Sequence, residues 1–336
     1  MRTECKVLTQ RALLVAMGVL TGTLMAGDPD TVSFGKVSKT RHFELVYGAL
    51  LKELPIGSKV RVWMPLAPSN RDQQVQRIKT TLSSKPLVTR EPKYGNQIIY
   101  FETETGKSSE LEFSVTYQVQ RSEVTGLNRK DARQLTEDQR RLFLSANVKV
   151  PIDGKPVALL KELELPRNDS LKLGELLYRR VEKHMRYDKS KPGYGTGDAV
   201  WACDSRFGNC TDFHSLFISM ARSQGVPSRF EIGFPIPEKQ VEGMIGGYHC
   251  WAFFHVKEYG WVPVDISEAD KHPELKQYYF GNLTENRVTF TTGRDINLVP
   301  RQEAPPLNFF VYPHVEVDGK PWNQKHMEKR FRFKNL

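Results

Sequence analysis

Cysteine is scarce in this chain: 336 residues carry four, at positions 5, 203, 210 and 250, and no two stand in a C-x-x-C pair. No H-x-x-x-H pair occurs either, so Cys203, Cys210, His214, His249 and Cys250 lack the spacing of a zinc site. Adjacent strand residues such as His249 and Cys250 would also point to opposite faces. An EF-hand-like loop is missing, so nothing in the sequence indicates calcium dependence or any other cofactor. There are no internal repeats, no low-complexity tracts and no nucleic-acid-binding motif. Beyond the first residues no stretch is long and apolar enough to span a membrane. The remaining composition, 39% hydrophobic and 26% charged, is that of a globular protein with room for two domains.

The apolar run that is present lies at the start. Arg2, Lys6 and Arg11 precede Ala12 to Leu20, and the small residues around Met25-Ala26-Gly27 offer a cleavage point. This predicts an export signal over residues 1–26 and a periplasmic or secreted protein; Gly18, Thr21 and Gly22 make the run a poor anchor. The formal net charge is +10, and losing three basic residues and Glu4 leaves the mature chain basic. Part of that charge lies in Lys325 to Lys334. Such a tail suits an acidic envelope component as partner, but the alternation of Phe331 and Phe333 favours a terminal strand with both rings inward. With Cys5 gone, three cysteines remain. If Cys210 is free, Cys203 and Cys250 are left as a possible disulfide pair.

Along the chain, Phe43–Tyr47, Lys59–Met64, Gln97–Phe101 and Leu111–Val119 read as strands, with Pro65, Pro68, Pro86, Pro92, Gly57 and Gly95 as punctuation. They predict an all-β, sandwich-like domain over residues 27–125. Residues 131–146 and 171–186 read as helices, the second with Leu173, Leu176, Leu177 and Val181 in one stripe after the capping run Asn168-Asp169-Ser170. Tyr187 to Asp198 is a glycine-rich loop. Arg287–Phe290, Phe309–Tyr312 and Val315–Val317 suggest closing strands. The expected organisation is a core over residues 126–280 and a C-terminal β extension over 281–336, in an α+β fold.

The chain is organised around Gly208-Asn209-Cys210-Thr211-Asp212-Phe213-His214. Phe213, Leu216, Phe217, Met220 and Ala221 share one helix face, with Gly225 as the stop, so Cys210 opens a buried helix. A helix N-terminus favours a thiolate. Downstream, Gly247 to Val256 reads as a buried strand, Tyr259-Gly260 as a turn and Trp261 to Asp265 as a second strand. Hairpin pairing puts His249 beside Asp265. Together the three residues are what a Cys-His-Asp triad requires.

Gly-Asn-Cys-Thr-Asp-Phe, Gly-Val-Pro-Ser-Arg-Phe, Tyr-His-Cys-Trp-Ala and Gly-Trp-Val-Pro-Val-Asp, in this order, resemble the core of the transglutaminase-like superfamily, particularly its exported bacterial branch. The resemblance is strongest from about Tyr187 to Asp270. It implies a papain-like core of a nucleophile helix packed on an antiparallel sheet, with Cys210 as nucleophile, His249 as base and Asp265 as its orienting group. It implies acyl transfer on protein or peptide amides, by transamidation or by hydrolysis.

Each residue also has a plainer reading. Cys210 alone would be a small buried hydrophobe, His214 a satisfied core histidine, Asp212 a helix-start charge and Trp201 either core or a neighbour of the oxyanion site. His255 shares a strand face with His249 and has no other distinction. For the whole chain, the alternative to an enzyme is a non-catalytic exported binding or scaffold protein that keeps the fold.

Overall fold

The structure, a computed structural model, describes residues 38–128, 134–166 and 168–336. The expected export signal lies outside the described residues. Six strands come first: β1 (Thr40–Leu51), β2 (Lys59–Pro65), β3 (Gln73–Thr81), β4 (Leu87–Arg90), β5 (Gln97–Glu104) and β6 (Leu111–Ser122). Five helices follow: α1 (Glu137–Leu144), α2 (Gly154–Ala158), α3 (Ser170–His184), α4 (Ala199–Ser205) and α5 (Cys210–Ser223). The remainder is β7 (Ser228–Pro235), β8 (Glu242–Met244), β9 (His249–Val256), β10 (Gly260–Val264), α6 (Ile266–Lys271), β11 (Arg287–Thr292), β12 (His314–Val317) and β13 (Met327–Asn335), with two-residue strands and short 3₁₀ turns between. This is an α+β fold whose larger sheets are antiparallel.

Alternation builds the first two sheets. In β1 the residues Phe43, Leu45, Tyr47, Ala49 and Leu51 are buried, and in β6 Phe113, Val115, Tyr117 and Val119 are. These strands lie in a sheet ordered β8-β13-β1-β6-β3. A second sheet holds β12-β2-β5-β4. Val60, Val62, Met64, Ile99 and Phe101 of the second sheet share one apolar cluster with the first. Phe101 meets Phe113 edge-on, ring centroids 5.5 Å apart. Residues from the far end of the chain complete both sheets, because β13 pairs with β1 and β12 pairs with β2. Phe331 and Phe333 do face inward.

The third sheet, β10-β9-β7-β11, carries the helices. Every residue of α5 from Cys210 to Arg222 is buried, as is all of β9. Phe217 of α5 packs on Phe254 of β9 at 6.0 Å. On the same ring sits Gly174 of α3, where a Cβ would come within 2.3 Å of Phe254, so only glycine permits this approach. Asp169 caps α3 by accepting from Lys172 N–H.

Two expected elements differ. The helix expected over 131–146 is Glu137–Leu144 in the described residues, started by a capping box between Thr136 and Gln139. Phe309–Tyr312 is not a strand. Its backbone carbonyls are taken by side chains instead: Thr291 Oγ1 donates to Phe310 and Tyr47 Oη donates to Val311. Among the described residues no helix is long and apolar enough to cross a membrane.

Candidate active site

Asn209 starts α5. Its side chain accepts from Thr211 N–H at 2.9 Å, and its own N–H donates to Asp212 at 2.9 Å, a reciprocal cap that fixes Cys210 as the first helical residue. The N–H of Cys210 therefore has no acceptor within the helix. Asp212 does more than the helix-start charge read from sequence. Wholly buried, it also accepts from Gly195 N–H (2.7 Å) and Gly197 N–H (2.9 Å), tying the glycine-rich loop to α5. Burial raises its carboxyl pKa against the pull of these three donors.

His249 opens β9 and its Nε2 lies 2.7 Å from Asp265 Oδ2. Asp265 stands one residue beyond β10 and caps α6: its Oδ1 accepts from Glu268 N–H and Ser267 Oγ. That leaves Oδ2 for His249 and for Arg287 Nη1, at 2.9 Å. With Nε2 engaged, His249 has Nδ1 for the thiol, and the ring favours the ionised form of Cys210. The three residues expected to meet are brought together.

Burial raises the Cys210 thiol, but hydrogen bonds from Cys250 and His249 and the positive charge of His249 outweigh it, and the group sits well below the ordinary thiol range. For His249, burial disfavours the charged ring; the charge and hydrogen bond of Asp265 and the contact with Cys210 prevail and raise it to about 10. Asp265 is held well below the carboxylate range: burial opposes ionisation, and His249, Arg287 and His214 override it. These directions favour a thiolate–imidazolium pair backed by a carboxylate. Cys210 is 3% exposed.

The neighbouring groups play other parts. His214 Nδ1 donates to Cys210 O at 2.7 Å while Nε2 accepts from Ile266 N–H at 3.0 Å, a fully satisfied neutral ring whose pKa burial lowers. Cys250 Sγ lies 3.7 Å from that ring, and burial raises its thiol. The Cys203–Cys250 disulfide does not form. All three cysteines are free, and Cys203 Sγ faces Lys155 O from α4. Trp201 packs edge-on against Phe207 at 5.3 Å. His255 stacks edge-on with Trp261. His249, Asp265 and Glu268 bring ligand atoms within 4.8 Å of one another. Arg287 and Lys271 already neutralise the two carboxylates, which disfavours a cation there.

Sequence reasoning missed Arg287 and Tyr248. Arg287 is 3% exposed and lies over Trp251, 4.8 Å from the ring centroid. Its only sequence signal was a charge at the start of an apolar strand. Tyr248 precedes His249, and its hydroxyl accepts from Asn209 Nδ2 at 3.2 Å.

Residues 158–266 match the transglutaminase-like superfamily. Over this segment the chain is similar to a transglutaminase-like core. It contains Cys210, His249 and Asp265, and α5 packed on an antiparallel sheet is its papain-like centre. Over nearly its whole length the chain is similar to an uncharacterized protein of Haemophilus influenzae, 26% identical over 92% of this chain and 95% of that one. Its fold resembles that of a Cytophaga hutchinsonii protein described as a candidate cysteine protease, with a TM-score of 0.53 at 16% identity, covering 88% of this chain and 99% of the other.

Proposed function

We propose that this protein is an exported cysteine-dependent enzyme that transfers acyl groups from protein or peptide amides. The observation that carries the reading is the placing of Cys210 at the first turn of α5 together with His249, whose Nε2 lies 2.7 Å from Asp265 Oδ2. The thiolate of Cys210 attacks the amide carbonyl and a C–S bond forms. The oxyanion develops near the free N–H of Cys210 at the helix start. His249 gives its Nδ1 proton to the departing amine as the C–N bond breaks, leaving a thioester. Water or a second amine, deprotonated by His249, then attacks the thioester, restores the thiolate and releases an acid or a new amide. Asp265 keeps the imidazole in the tautomer and orientation this needs. The 3% exposure of Cys210 favours a second reading, a scaffold protein with a closed site.

Peptide-amide hydrolysis and amine incorporation should be measured on the mature chain and on Cys210→Ala. Turnover that vanishes in the variant, with an unchanged circular dichroism spectrum, is the expected result. Turnover retained by Cys210→Ala would remove the mechanism.

A further inference from the structure

The basic tail contains one lysine that is not a solvated charge. On β13 the inward face is made by Met327, Phe331 and Phe333, all buried. The period of two puts Lys329 on that face as well, and it is half-buried. Its Nζ lies 3.8 Å from the ring centroid of Tyr312. Burial lowers its pKa, and among the described residues no carboxylate pairs with it. The neighbouring Glu328 is engaged by Lys52 and Arg330. Elsewhere on the strand, Arg330 is also held by Glu112, and Lys334 lies near Glu242.

The ring beneath Lys329 belongs to the site. Tyr312 lies flat on Phe331, its hydroxyl accepts from Tyr248 N–H at 3.3 Å, and its centroid is 5.8 Å from that of Tyr248. Tyr248 in turn reaches Asn209, beside Cys210. Lys329 is therefore linked to the start of α5 through two aromatic rings, Tyr312 and Tyr248. A half-desolvated ammonium on an aromatic face keeps only part of its solvation, and a carboxylate would add charge-assisted hydrogen bonds.

We infer that Lys329 is a specificity residue that receives a carboxylate of the acyl-donor peptide, making acidic peptides the preferred substrate class. This rests on Cys210 being the nucleophile. Lys189, over Tyr187, and Lys191, over Phe207, add positive potential near the site, but both are exposed and share their loop with Asp188.

The test uses short peptidyl chloromethyl ketones that differ only by Glu or Gln at each of the three positions preceding the reactive carbon, with labelling of Cys210 read by mass spectrometry. At one position the Glu probe should label the mature protein about tenfold faster, and Lys329→Met, which keeps the packing stem, should bring the ratio to about one. Lys329→Arg should retain it. Equal rates for all probe pairs, or a ratio that survives Lys329→Met, overturn the inference even when iodoacetamide labels Cys210 rapidly. If Cys210 resists iodoacetamide as well, the nucleophile reading falls and the inference falls with it. Thermal unfolding of Lys329→Met separates a structural role: loss of an unpaired, half-buried charge should leave the midpoint unchanged or higher, and a large drop would contradict the assignment.

Discussion

The carboxylate of Asp265 is shared between His249 and Arg287, both on its Oδ2, while Oδ1 is used by α6. Arg287 is buried, and its Nε is without a partner; the pair with Asp265, the ring of Trp251 and a long bond from Nη2 to Thr284 Oγ1 hold it in place. Removing one member of a buried ion pair strands the other, typically at about 3–5 kcal/mol. Arg287→Met should therefore destabilise the protein by a few kcal/mol, read by urea unfolding. The sign of its pH effect follows from Asp265, whose depressed pKa contributes stability above the unfolded carboxylate pKa and loses it as pH falls. Weakening that depression moves the acid unfolding midpoint upward in pH. A midpoint that stays in place would mean Arg287 does not govern the carboxylate.

At the level of elements, the placing of Cys210 depends on how α5 begins. Asp212 joins the helix start to the loop at Gly195 and Gly197, and a Cβ at Gly208 would lie 2.5 Å from Asp212 Oδ2. Asp212→Asn replaces one acceptor oxygen by a donor that faces N–H groups. A loss of about 1–3 kcal/mol is expected, together with slower alkylation of Cys210, measured by unfolding and by mass mapping on one preparation. Unchanged stability would show that the loop is held by other contacts. The helix, the strand of His249 and their apolar spacing could be read from the sequence because period 3.6 and a run of β-branched and aromatic residues are local signals. The reach of Asp212 to Gly195 spans 17 residues, and that of Arg287 to Asp265 spans 22; no local pattern encodes either. Asp265 was expected to end a strand and instead caps α6, since a strand end and an N-cap both present an aspartate before a polar turn.

Across the whole molecule, residues near the two ends of the described chain share sheets. Phe43 lies opposite Asn335 in the register of β1 and β13. Alternation in Phe331 and Phe333 announced an inward face, but not which strand it would meet, because strand pairing is set by tertiary contacts. The same alternation put Lys329 beside the site without announcing it. Three thiols at different places in this fold offer one readout of the account. Burial raises Cys203 and Cys250, whereas His249 and Cys250 together bring Cys210 down. The most direct measurement is the iodoacetamide alkylation rate of each cysteine against pH in the mature protein and in His249→Ala. Cys210 should react fastest, well below the roughly 8.5 of an ordinary thiol, and its profile should move to higher pH in the variant. A Cys210 that titrates with Cys203 and Cys250, or a profile unmoved by loss of His249, would contradict the thiolate–imidazolium pair.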